Sequence, residues 1–413
     1  MPVELPVSDL QEAAPEPPRA IVWLVLFVVC LVAGMVDTVL TWPKTEPTGS
    51  TWFWTRGLIL PTVAWGIAFI FRSFYYDDER NRLLAEDDAL QKDRAVALQF
   101  ASEPLAVLGC AYLSGLGSSG VASQIAHEKK ALNAQQSSSS DETIRHTALA
   151  LFDDQTALGR YRSCFLELLD RIANDVAAVP RNVPLSVRLH FAEQADGDAL
   201  LGMWQACWRE YELRPAKAVR LRPEQGLMAL DEWLDIRGGP SLEKFILFVS
   251  VQLHDTSPKK NSAEAAVALM LGWAALAGRR GIKPLALLNR PVEAESTLLN
   301  DAIPTALLWG ETSASDISDL WQAGLEKLDK PALIQSTSDL SLGISRTEDL
   351  SGIHDIDKAL GNPGVAAGWL ATALAIEHVT QSGKPQLIAW RERSLRLAVA
   401  QPATKEIEMK IKI

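Results

Sequence analysis

The sequence predicts an α/β protein carried behind a two-helix membrane hairpin. Three observations point there. Two apolar runs of bilayer length lie close together near the N-terminus. From residue 104 onward, short apolar runs alternate with helix-patterned segments. Near the end, ALGNPGVAAGWLATALA (359–375) gathers glycines and alanines into a helix-forming stretch, as close packing of a helix on a sheet requires.

The first run, IVWLVLFVVCLVAGMV (21–36), carries no charge, and Asp37 alone interrupts it before Trp42. The second is WFWTRGLILPTVAWGIAFIF (52–71). Each is close to the roughly 20 residues that cross a bilayer. The acidic, proline-rich leader and the second run set the pair apart from a cleaved signal peptide. Trp42, Trp52 and Trp54 cluster at one end and Phe74, Tyr75 and Tyr76 follow the other, as interfacial aromatic belts do. Arg19, Arg72, Arg80 and Arg82 flank the outer ends, against Lys44 and Arg56 at the linker. That bias predicts an inner-membrane, multi-pass protein with both termini and the large domain in the cytoplasm. The lipid bilayer is therefore an expected partner. Asp37 and Arg56 lie near the linker end and are expected at the interface rather than in a proton path. The expected organisation is a leader (1–19), the hairpin (20–72), a charged helical connector (73–103), a body (104–402) and a tail (403–413).

A net charge of −11 over 413 residues argues against nucleic acid as a partner, since phosphate binding needs a basic face. Cys30, Cys110, Cys164 and Cys207 sit in apolar surroundings without CxxC or Cys/His spacing, and read as reduced thiols. The six histidines show no HxxxH or HExxH pairing, so no metal site is expected. GLGSSG (115–120) meets neither the dinucleotide fingerprint nor the Walker pattern, and no cofactor is expected. Glu377 and His378 are adjacent on one predicted helix and so point in different directions.

Within the body, 104–117 reads as a strand closed by glycines and 132–142 as a low-complexity loop. Helical spacing of apolar residues marks 157–176. A strand (182–191), a helix (198–211), a short strand (218–221), a helix (225–235) and a strand (245–253) follow. The segment 264–281 reads as a strand and then a helix, and 284–290 as a strand. In the last third the expected order is a strand at 305–310, a helix at 315–328, a strand at 331–337, the small-residue helix, and a hairpin from 386. This alternation implies a buried, mixed sheet wrapped by helices on both faces.

Four stretches, in order, resemble the β-ketoacyl synthases and the wider thiolase-like superfamily. LAVLGCAYLSGLGSS (105–119) is similar to the family's opening strand and turn. RPEQGLMALDEW (222–233) stands where the nucleophile elbow would be, and AEAAVALML (263–271) resembles the Gly-Glu-Ala-Ala-Ala segment. DKALGNPGVAAGWLATALA (357–375) resembles the Lys-Ser-x-x-Gly-His segment and its helix. The resemblance implies a thiolase-like α-β-α-β-α body of two similar halves, about 104–255 and 256–402. It also implies a homodimer.

Condensation in that family uses a cysteine at a helix N-terminus and two histidines. Here Pro223 aligns with the cysteine, and proline offers neither a nucleophile nor an N–H. The region matched to the first histidine, 336–350, has none, and His354 beyond it reads as a surface residue. Asn362 replaces the second; an amide hydrogen-bonds but exchanges no proton near neutral pH. Lys358 corresponds to the family lysine, and with Gly361 and Gly226 it would line any residual pocket. The expectation is a pseudoenzyme: a non-catalytic, membrane-anchored scaffold or adaptor, set in a bacterial secretion machine such as type VI. The alternatives are an enzyme or sensor that binds acyl chains or acyl carrier protein, and a small transport component.

Overall fold

The computed structural model describes residues 16–44, 46–136, 143–152, 156–193, 195–254, 258–346 and 348–403. Residues 1–15 of the leader, 137–142 of the low-complexity loop and 404–413 of the tail lie outside these. The chain divides into two compact units, one within residues 4–98 and one from Gln99 onward.

The first unit is a helical hairpin. α1 (Ala20–Thr41) returns through α2 (Thr51–Trp54), a π-turn (Thr55–Ile59) and α3 (Leu60–Ser102). Pro61 has no N–H to offer the preceding turn, and the widened turn just before it accommodates the ring. Both arms hold a stretch long and apolar enough to cross a membrane, and Ile21, Leu40, Ile59 and Phe71 turn their side chains outward. The arms touch through small residues: Gly34 lies against Pro61, and a Cβ on Gly57 would stand 2.6 Å from Met35 Sδ. Trp65 Nε1 donates to the Trp23 carbonyl at 3.0 Å across the pair. Asp37 and Arg56, both near the linker, pair at 3.5 Å. Trp42 packs edge-on against Phe53, Trp52, Trp54 and Tyr75 are exposed, and Tyr76 is half-buried. Within α3 the charged segment 77–95 is helical, with Lys92–Asp88 and Arg82–Glu86 paired one turn apart.

The described strands of the body are β1 (Leu105–Leu113), β2 (Asn133–Gln136), β3 (Thr143–Thr147), β4 (Leu185–Phe191), β5 (Lys217–Arg220), β6 (Phe245–Gln252), β7 (Ser262–Ala263), β8 (Ala265–Trp273), β9 (Ala286–Leu288), β10 (Val292–Ala294), β11 (Leu320–Ala323), β12 (Ile353–Asp355), β13 (Gln386–Arg391) and β14 (Leu395–Pro402). Its helices are α4 (Val121–Ala126), α5 (Ala157–Ala178), α6 (Gly197–Glu210), α7 (Ala229–Leu234), α8 (Ala274–Arg279), α9 (Leu299–Trp309), α10 (Asp329–Asp339), α11 (Ile356–Ala359) and α12 (Ala367–Ser382).

The main sheet runs β12-β11-β13-β14-β9-β1-β8-β6-β4-β5, with β10 beside β14. Its two halves follow one plan. Lettered in chain order, the strands of each half lie as c-b-d-e-a: β1, β4, β5, β6 and β8 fill the first set, β9, β11, β12, β13 and β14 the second. In both, b pairs in parallel with c and d, and e is antiparallel to d and a. The halves join where β1 meets β9, Leu105 opposite Leu288. Because β8 bonds to both β6 and β1, the first repeat closes after β8; a boundary at residue 255 would cut it.

Helices α5, α6 and α8 cover the outer face of the first half. Helices α4, α7 and α12 share one buried cluster with inward residues of both halves. Helix α9 packs on β10 and β14, with α10 against it. The layering is thus α-β-α-β-α, as the resemblance implied. The small-residue run works as a packing device: a Cβ on Gly368 of α12 would meet Trp390 Cδ1 of β13 at 2.6 Å, and that indole is fully buried.

Local expectations fail in identifiable places. Asn133–Gln136 forms β2, paired with β3 through the backbone, where polar composition suggested only a loop. In the last third, 305–310 lies in α9, 315–328 contains a 3₁₀ turn and β11, and 331–337 lies in α10. Leu299, Ala302, Ile303, Ala306 and Leu307 form one buried helical stripe across Pro304. All four residues of β11 are buried, which leaves no alternation to read.

Gly368→Ala should lower stability by about 1–3 kcal/mol, because neither the indole nor the helix can yield. Gly202→Ala, in exposed space on α6, should raise it by roughly 0.5–1 kcal/mol. Denaturant titration of both variants checks the contrast.

Candidate functional site

A cavity of about 1130 Å³ opens where β4, β5, β6 and β13 end and the turn before α12 begins. Parallel strands commonly present ligand sites at their carboxyl ends. Pro223 and Asn362 both line this cavity, although 139 positions apart in the chain. Its walls carry six cationic side chains (Arg220, Arg222, Lys259, Lys260, Arg391 and Arg393) against Glu193, Glu224 and Glu392. A basic hollow in an acidic protein favours an anionic occupant.

Pro223 follows β5 on a turn into a 3₁₀ segment (Gly226–Met228) and the six-residue α7. His190, at the end of β4, holds that turn. Trp369 Nε1 donates to His190 Nδ1 at 3.2 Å. An indole N–H can only donate, so Nδ1 is the bare nitrogen and Nε2 carries the proton. Nε2–H then donates to the Pro223 carbonyl at 3.1 Å. Burial is the leading cause that pushes His190 below its ordinary pKa, which keeps the ring neutral. The one proton on this imidazole is committed to backbone.

Glu392 closes the turn from the other side. Its Oε1 accepts from Leu227 N at 2.9 Å and from Trp390 Nε1 at 3.1 Å. Gly226, with φ +45°, is the closest approach: any Cβ there would strike the Glu392 carboxyl. Burial raises the Glu392 pKa, which favours its protonated form. The carboxyl thus takes a backbone N–H of the elbow for itself.

Asn362 is pinned through the backbone. Its N–H donates to Asn261 O and its carbonyl accepts from Ala263 N, both at 2.8 Å. Its own Oδ1 accepts from Gly364 N at 2.8 Å, an Asx turn that directs the amide onto local backbone. Gly361 has φ +100°, and a Cβ there would sit 2.6 Å from Ser262 O, so glycine is required for this approach.

Other assignments change. Lys358 is exposed on α11 and is not among the cavity-lining residues; Lys330 is the lysine that reaches the neighbouring carboxylates, 2.7 Å from Asp355 and 3.7 Å from Asp357. The described residues of the region 336–350 form the end of α10 and 3₁₀ turns. On β11's side the approach to Asn362 is made by Gly324, where a Cβ would stand 4.0 Å from Asn362 Oδ1. His354, expected at the surface, is 4 % exposed and bonds Asp319 at 2.9 Å. Glu377 and His378 do diverge: Glu377 accepts from Tyr112 Oη, Gly120 N and Ala122 N, while His378 faces Asp319.

Beside the cavity, buried Glu264 accepts from Arg160 at 2.9 and 2.6 Å, from Leu149 N and from His254 N. Burial alone would raise its pKa, but the His254, Arg160 and backbone contacts outweigh it and hold it at about 2.

Solved structures of ketosynthases share this architecture. The oxazolomycin ketosynthase domain from Streptomyces albus superposes with a TM-score of 0.50 at 11% identity, covering 73% of this chain and 95% of that one. The fold is thiolase-like. The ishigamide ketosynthase/chain length factor gives 0.51 at 14% identity, over 72% and 99%. The module 1 ketosynthase of the bacillaene synthase from Bacillus amyloliquefaciens gives 0.51 at 15%, over 73% and 76%. At such identities the likeness is one of fold. No family model and no curated protein matches the sequence.

The depressed His190 pKa makes the folded state bind fewer protons than the unfolded one. Its stabilising contribution is complete above the unfolded pKa, about 6.5, and is lost as pH falls below that value. The thermal midpoint should drop between about pH 7.5 and 5.5, and drop less in His190→Gln, which keeps an amide donor. Equal pH profiles for the two would contradict the assignment. Glu264→Gln should cost about 3–5 kcal/mol at neutral pH by removing the charge that pairs with Arg160, as read from denaturation midpoints.

Proposed function

We propose that the protein is a non-catalytic, membrane-anchored adaptor that uses its thiolase-like body to bind other proteins. The reading rests on one observation. The cavity end that would hold condensing chemistry is lined by Pro223 and Asn362, a glycine, Gly324, lies near the Asn362 amide, and the Leu227 N–H is already taken by Glu392. None of these offers a nucleophile or an exchangeable proton in the way acyl condensation needs. The body's thiols do not substitute. Cys110, Cys164 and Cys207 lie off the cavity, and burial raises all three, Cys110 to about 12, far from the thiolate form that reacts.

In this reading the two apolar helices anchor the chain in the inner membrane, with both termini and the body in the cytoplasm. The body pairs as a homodimer, and a bacterial secretion machine such as type VI is a fitting setting. Full-length protein incubated with acyl-thioesters should gain no mass, and cross-linking in native membranes should recover a protein partner at fixed stoichiometry. A stable acyl adduct would overturn the adaptor reading. Reporter fusions check the topology: an alkaline phosphatase placed at Gly49 should be active and one at the C-terminus silent.

A second reading is favoured by the cavity itself. Its volume and cationic walls suit an anionic, acyl-bearing ligand held without turnover. Saturating acyl-carrier or acyl-thioester ligand at about 100 times Kd would then stabilise the fold by about 2.7 kcal/mol with no covalent change.

A further inference from the structure

A second cluster of chemical side chains lies at the other end of β11 from the cavity. Asp319 immediately precedes the strand and Gly324 immediately follows it, a rise of about 16 Å. His354 comes from β12, in register with Trp321. His378 comes from the C-terminal half of α12. One ligand atom from each of Asp319, His354 and His378 falls within 4.8 Å of the other two. In sequence they are 35 and 24 positions apart, so no spacing motif announces them.

The separations are informative. His354 Nε2 stands 2.9 Å from Asp319 Oδ1, a hydrogen bond. His378 Nε2 stands 3.6 Å from the same oxygen, too long for one. Two ligands of a tetrahedral cation, each about 2.1 Å from it, lie about 3.4 Å apart. The His378 ring is thus turned toward the carboxylate at ligand spacing. Its Nδ1 is buried and has no hydrogen-bond partner among the described residues, so no bond from that atom holds the ring in this orientation.

The surroundings fix the group. Ser318 Oγ donates to Asp319 Oδ2 at 2.7 Å, leaving Oδ1 for the histidines. Trp321 packs against both rings, 4.3 Å from His354 and 5.6 Å from His378, and is itself held by a 3.1 Å bond from Nε1 to Gln386. The pocket is lined but open: His354 is 4 % exposed, while Asp319 and His378 are 16 % and 18 %.

We propose that Asp319, His354 and His378 form a binding site for a divalent cation of the zinc type, separate from the cavity. Two imidazoles and one carboxylate match zinc's borderline preference, and three protein ligands leave a fourth position for water. Binding would draw the His354–Asp319 pair apart by about 0.5 Å to ligand spacing. The ion would tie the edge strand β12 to β11 and α12.

The test uses full-length protein in detergent, stripped with a chelator and titrated with zinc chloride by calorimetry. One ion should bind per chain and raise the thermal midpoint. Asp319→Asn and His378→Gln should each weaken binding by about 100-fold or more, beyond the 10–100-fold that losing an outer partner costs. His127→Gln, at an exposed histidine, should leave it unchanged. Cobalt(II) should give visible absorption bands with the wild type and not with His378→Gln. His378 lies at the rim, so matching near-ultraviolet dichroism of that variant confirms that the fold survives. The proposal is overturned by absent zinc binding, or by equal affinity in wild type and His378→Gln. A purely hydrogen-bonded His–Asp pair, stable but indifferent to zinc, overturns it equally.

Discussion

The body is organised around the contact between α12 and β13, where the Gly368 backbone lies against the Trp390 ring. A buried helix shared by both halves of the sheet has no solvent side on which to relax, so its distance from each strand is set by the smallest residues facing it. Gly368, Ala371 and Ala375 set it here, and Thr372 satisfies its hydroxyl on the Gly368 carbonyl without adding width. Once the helix is seated, its two ends are fixed as well. One end delivers the Asn362 turn to the cavity, and the other delivers His378 to Asp319 and His354.

The cavity end is held together by contacts made within the chain. Backbone pinning of Asn362 to residues 261–263 ties the two halves together across the opening. His190 is neutral, with its proton given to the Pro223 carbonyl, and therefore positions the turn instead of moving protons across it. Glu392 accepts from the Leu227 N–H within the chain and so occupies a donor of the kind that stabilises an oxyanion.

Much of this was legible in the sequence, for physical reasons that differ by element. The two apolar arms announce themselves by their bilayer-length apolar runs, and the long strands β6 and β8 because burial on both faces requires continuous apolar runs. Pro223 and Asn362 could be found because the resemblance supplied a register, and the fold brings both to one cavity. Other features are invisible to periodicity. Strand β11 is four buried residues, and α9 hides its stripe across Pro304. Lys358, matched through the resemblance, is exposed on the four-residue α11 and does not line the cavity. Glu392 and the Asp319–His354–His378 cluster depend on contacts between distant segments, and no local pattern encodes those. A cue existed in the charged Arg391-Glu392-Arg393 triplet interrupting an otherwise buried hairpin.

The adaptor we propose requires that the Pro223 turn activates no nucleophile. The most direct measurement places a thiol there: Pro223→Cys, with its pKa read from the pH dependence of alkylation. A short α7, a committed His190 and the Glu392 carboxyl predict a thiol at or above the ordinary value of about 8.5. A thiol pKa below about 7 would show that the turn still stabilises a thiolate, and would contradict the account.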